Sequence, residues 1–98
     1  MTTDQKYQKK TILQVVPALI SGGVERGTLE IAKSIVASGN NSIVISAGGP
    51  MVKSLVASGS EHVNLNVASK NPFVIWQNAH KIAKVIRDQN VDIVHARS

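Results

Sequence analysis

A chain of 98 residues with 43% hydrophobic and 17% charged content has the makeup of one folded domain and not of a disordered segment. The absence of cysteine excludes a disulfide framework, a thiolate metal site and a cysteine nucleophile, and fits a reducing cytoplasm. The net charge of +5 comes partly from Lys6, Lys9 and Lys10, and no basic stripe interleaved with aromatics supports a nucleic-acid partner.

After a polar tail over residues 1–10, Thr11 to Val16 is an apolar run that reads as a buried strand. It leads through Pro17, Ala18, Leu19, Ile20 and Ser21 to Gly22-Gly23-Val24-Glu25, where an amphipathic helix starts and runs to about Ser38, ended by Gly39. Ser42 to Ser46 is a second strand, followed by the breaker Gly48-Gly49-Pro50. A short helix from about Met51 to Ser58 carries Val52, Leu55 and Val56 and is closed by Gly59. His62 to Val67 alternates Val63, Leu65 and Val67 with polar neighbours, a third strand nearer a sheet edge. Asn71 before Pro72 marks a helix start, with Asn as cap and Pro in the first helical position. That helix is predicted to reach about Gln89, with Phe73, Trp76, Ile82, Ala83, Val85 and Ile86 on its buried side. Val91 to His95 is the fourth strand.

Strands alternating with helices, through connections too long for hairpins, predict an α/β fold with a parallel sheet and right-handed crossovers. An aromatic content of 3% leaves the core to Ile, Val, Leu and Ala, which suits parallel strands buried on both faces. The doubly wound strand order would be 3-2-1-4, with helices on both faces and the fourth strand at an open edge prone to self-association. No apolar stretch reaches the about 18 residues of a membrane span, and the polar start does not read as a signal peptide. The expected location is the cytoplasm, with room for peripheral contact at the inner face of the membrane.

The junction of first strand and first helix carries the chemistry. Paired glycines at the mouth of a helix expose backbone N–H groups where the helix dipole is positive, which suits a phosphorylated ligand. A dinucleotide fingerprint needs an acidic residue about 20 positions further on, and no Asp or Glu occurs between Glu30 and Glu61. A P-loop needs a lysine where Thr28 stands. There remain a diphosphate approached by backbone amides alone, and a tight turn with no ligand. His62 and His80 lack partners at metal-ligand spacing, Trp76 reads as a core or half-buried helix residue, and no catalytic residue is assigned.

Val16-Pro17-x-Leu19-x-x-Gly22-Gly23-Val24-Glu25, the strand Ile43-Val44-Ile45-Ser46 before Gly48-Gly49, then Leu55, Gly59 and Val91-Asp92-Ile93-Val94-His95-Ala96-Arg97-Ser98 occur in a characteristic order. Together they resemble the N-terminal domain of family 4 glycosyltransferases, the retaining GT-B type with two Rossmann-like domains. The resemblance implies that residues 11–98 form part of such a domain, with a nucleotide sugar as donor substrate and no metal or other cofactor. It further implies a glycan or lipid-linked acceptor, such as a cell-envelope glycolipid or polysaccharide precursor, and a second, nucleotide-holding domain absent from this chain. Gly22 and Gly23 carry over as donor-diphosphate contacts, and Glu25 matches the motif's acid, read here as support for the helix start. His95 and Arg97 end the fourth strand and face the interdomain cleft on its acceptor side. These residues alone are expected to be inactive. The alternative is a non-catalytic α/β module that binds a small ligand or a protein.

Overall fold

Short Ile- and Val-rich strands separated by helices can pair side by side in parallel, through crossovers. The computed structural model describes residues 9–17 and 23–96, except for the side chain of Val24. Its elements are β1 (Thr11–Val15), α1 (Gly23–Ala37), β2 (Asn41–Ser46), α2 (Val52–Ala57), β3 (Glu61–Asn64), α3 (Pro72–Asp88) and β4 (Ile93–Ala96). All three strand pairings are parallel, and the four-stranded sheet has the order β3-β2-β1-β4. The predicted α/β architecture and strand order are those observed.

Each face of the sheet has its own core. Val16, Leu29, Ala32, Val44 and Leu55 join α1 and α2 to one face. On the other, Leu13, Ile43, Ile45 and Leu65 meet Ile82, Val85 and Ile86 of α3. Burial on both faces accounts for apolar residues at adjacent positions in β1 and β2, Ile12-Leu13 and Ile43-Val44-Ile45.

The ends of the elements follow local chemistry. Asn71, in extended conformation, accepts a hydrogen bond on Oδ1 from the Phe73 amide at 2.9 Å, with Pro72 next in the first helical position. Gly39 and Gly59 follow α1 and α2 at φ of +84° and +100°, conformations that favour glycine. β3 ends earlier than its alternating pattern suggests, because the Val67 amide turns back onto the Leu65 carbonyl at 2.8 Å. β4 starts at Ile93 and not Val91, whose amide still closes α3 on the Ile86 carbonyl at 3.0 Å. Asp92 then pins β4 to β1: its Oδ2 accepts from the Thr11 amide at 2.8 Å, and its own amide donates to the Thr11 carbonyl at 2.8 Å.

The buried side of α3 differs from the sequence expectation. Ile82, Val85 and Ile86 face the sheet, but Phe73 and Trp76 are 64% and 59% exposed and Ala83 is also exposed. At 3.6 residues per turn, Phe73 points about 180° and Trp76 about 120° away from Ile82. Asn78 takes the buried position instead, its Nδ2 donating to the Asn66 carbonyl at 2.8 Å. β4 lies at the sheet edge with Ile93, Val94, His95 and Ala96 all exposed, the open edge predicted above. Among the described residues no helix is long and apolar enough to cross a membrane.

Candidate functional site

The chain lays down β1, β2 and β3 in one direction, with α1 and α2 on one face. It then returns along α3 on the opposite face to place β4 on the other flank of β1. Strand order therefore reverses between β1 and β4, and in open α/β sheets ligands bind outside the carboxyl ends of the strands at such a reversal. The exit from β1 is tied to β2, with the Val16 amide donating to the Ile45 carbonyl and the Ala47 amide to the Pro17 carbonyl, each at 2.9 Å. α1 then begins at Gly23. Its first amides have no partners within the helix, and half-buried Glu25 stands in the first turn, where a carboxylate is favoured by the positive end of the dipole.

Of the residues singled out from sequence, Gly23, Glu25 and His95 lie at this carboxyl edge. Gly22 and Arg97 fall outside the described residues. His95 is exposed on β4 and pairs in register with Gln14 of β1, so the two side chains share the face covered by α1. Gln14 escaped the sequence reading, although a lone amide inside Thr11–Val16 was a usable signal. Fully buried, it donates from Nε2 to the Thr28 carbonyl at 3.3 Å, while its Oε1 has no hydrogen-bond partner among the described residues. An unsatisfied buried acceptor is costly and uncommon, and this one sits one residue before the end of β1.

The family model for Glycosyltransferase Family 4 matches residues 21–98, most of the chain. The chain belongs to glycosyltransferase family 4. A solved structure, a glycosyltransferase from Rickettsia africae ESF-5, is similar to it at 58% identity and a TM-score of 0.84. The match covers 94% of this chain and 24% of that one, so the chain spans about a quarter of the glycosyltransferase it resembles. No curated protein matches the chain.

In this family 4 domain a second glycine segment follows β2 at the same edge. Gly48 and Gly49 adopt φ of +98° and +137°. The Gly48 amide donates to Ser46 Oγ at 3.0 Å, and Ser46 Oγ lies 2.7 Å from His62 Nε2 on β3. The Ser46 hydroxyl, with one donor and two acceptor sites, thus joins the Gly48 amide to the His62 ring. This pair was not legible in the sequence, because only strand register brings Ser46 and His62 together. It is not a nucleophile and base: Ser46 is fully buried.

Burial lowers the His62 pKa below 6.5. A histidine whose folded pKa lies below its unfolded value contributes stability that is full above pH 6.5 and is lost as pH falls through the folded value. Melting temperature is accordingly expected to drop between pH 7.5 and pH 5, and His62→Gln to flatten that part of the profile. An identical slope in the variant would remove His62 as its source.

A polar concavity lies elsewhere among the described residues. A hollow of about 390 Å³, lined by Lys9, Thr11, Asn41, Ser42, Gly59 and Glu61 among others, opens at the amino ends of the strands. It lies at the opposite edge from α1's first turn, so polarity and size alone do not mark the site of this family 4 domain. Among the described residues no three His, Asp or Glu side chains converge as a metal-binding group.

Proposed function

We propose that this chain supplies the N-terminal half of a site that moves a sugar from a nucleotide-diphosphate sugar to an acceptor. The observation that carries the reading is the opening of α1 at the carboxyl edge where strand order reverses, within a chain of family 4. The donor's diphosphate would approach the amides of Gly22 and Gly23, where absence of a Cβ permits close contact and the helix dipole favours negative charge. Glu25 keeps its carboxylate away from that anion and steadies the helix start. His95 and Arg97 would meet the acceptor, a glycan or lipid-linked molecule such as a cell-envelope precursor, through hydrogen bonds to hydroxyl or phosphate oxygens.

The remaining half of the pocket belongs, in this reading, to a second domain of a longer protein, and the free edge of β4 takes a further strand or a second copy. The donor is a substrate, no resident cofactor is assigned, and the enzyme works in the cytoplasm in peripheral contact with the membrane. Two or three charge-assisted amide contacts contribute about 1.5–3 kcal/mol each, against roughly 4–15 kcal/mol for association. The 98 residues by themselves are then expected to hold a nucleotide sugar no tighter than about millimolar.

Calorimetry tests both parts. In a protein extended by the second domain, Gly23→Val is expected to weaken donor binding about tenfold, the loss of one such contact. Micromolar binding by the short chain, or unchanged donor affinity in a folded Gly23→Val protein, would contradict the assignment.

A further inference from the structure

Two stripes run along α3. The inner one packs on the sheet; the outer one reads Phe73, Trp76, His80, Lys84 and Arg87, at intervals of three, four, four and three residues. Its aromatic part is organised, although exposed. The Phe73 and Trp76 ring centroids are 6.4 Å apart, and the His80 ring lies against Trp76 with centroids 4.3 Å apart and planes tilted by 51°.

The basic part follows. Lys81, Lys84 and Arg87 occupy the later turns, and the only acid on the helix, Asp88, is already paired with Lys84 at 2.8 Å. Large apolar rings in one half of an exposed helix face and cations in the other match the boundary between headgroups and acyl chains of an anionic bilayer. Tryptophan and phenylalanine bodies enter that boundary, while Lys and Arg remain at the phosphates.

We propose that the outer face of α3 is a docking surface for an anionic lipid bilayer, with Phe73 and Trp76 entering the headgroup region and Lys81, Lys84 and Arg87 contacting anionic headgroups. This deepens the peripheral-membrane part of the proposed function, and it requires nothing of the sugar-transfer chemistry. The 17 residues of α3 span about 25 Å, enough for a helix lying in the membrane plane. Because α3 follows a parallel strand, its aromatic end lies towards the carboxyl edge of the sheet. The net charge of +5 adds long-range attraction to such a surface.

A second copy is a poorer occupant, since two α3 faces brought together would oppose like-charged rows. Single-stranded nucleic acid is also poorer, because rings and cations are segregated along a convex helix and not alternated along a groove.

Trp76 is the only tryptophan of the chain, so its emission reports the contact directly. With the 98-residue chain and vesicles of mixed phosphatidylglycerol and phosphatidylcholine, Trp76 emission is expected to shift to the blue and to be quenched by brominated acyl chains. Pure phosphatidylcholine vesicles should produce little of either. Lys84→Gln and Arg87→Gln should each weaken partitioning about fivefold, and Phe73→Ser about tenfold. All three positions are exposed, and circular dichroism checks that the variants remain folded.

Emission unchanged by anionic vesicles would overturn the proposal. So would a shift that depends only on protein concentration, the sign of a second copy, or one produced by a single-stranded oligonucleotide and not by vesicles. No donor or acceptor is present in this experiment, so a failed transfer assay leaves its outcome untouched.

Discussion

Leu13→Ala is expected to destabilise the domain by about 3–4 kcal/mol, the middle of the range for a buried leucine truncated to alanine. Leu13 is fully buried on β1, flanked in register by Ile43 on β2 and Val94 on β4. Its side chain belongs to the cluster that joins the sheet to Ile82, Val85 and Ile86 of α3. A central strand hydrogen-bonded on both sides cannot move into the hole, so lost contacts and the residual cavity both count. Single domains have only about 5–15 kcal/mol in total, and a small one with an open edge has little reserve. Urea unfolding followed by circular dichroism should show a large fall in midpoint with unchanged slope. A loss below about 1 kcal/mol would mean that α3 is not packed on β1 as described.

Gly59→Val should cost a similar amount, about 3 kcal/mol, for two separable reasons. Gly59 holds φ of +100° where the chain leaves α2, and a side chain in such a left-handed conformation costs about 1–2 kcal/mol. A Cβ there would also stand 3.0 Å from Val36 Cγ1 on α1, so the contact between the helices must open or the valine must rotate. Overpacking of this kind costs about 1–3 kcal/mol. A double-mutant cycle separates the two contributions: Val36→Ala should relieve the steric part of a Gly59→Ala substitution and leave the backbone part in place. If the Gly59 variants melt with the parent protein, the turn does not require glycine.

Both residues were visible in the sequence, to different depths. Gly59 could be read as the stop of a short helix from its place after Val52, Leu55 and Val56, because a helix end is decided within a few residues. Its collision with Val36 could not, since that depends on how α1 and α2 lie on the sheet. The glycine pair at the mouth of α1 was legible together with its strand and helix. The reversal of strand order beside it was expected from the doubly wound pattern, and the pairing of β4 with β1 bears that order out.

The outer stripe of α3 was missed for a definite reason. Apolar residues occur on both sides of the helix, at Phe73 and Trp76 as well as at Ile82, Val85 and Ile86, and a hydrophobic period that fits two phases does not choose between them. The spacing Val74, Asn78, Ile82, Ile86 marks the inner side, with a polar residue interrupting it. Asn78 can be buried only because the Asn66 carbonyl waits for its amide.

The sequence by itself thus determined the order of elements, the parallel α/β class, the caps at Gly39, Gly59 and Asn71, and the resemblance to family 4, all of which rest on local chemistry and short-range periodicity. Only the tertiary structure decided which face of α3 meets water, that Gln14 lies buried with no partner for its Oε1 among the described residues, and that Ser46 reaches His62. Those contacts join residues far apart in the chain, and their geometry is set by strand register and by the burial of one helix face over another, which no local pattern encodes.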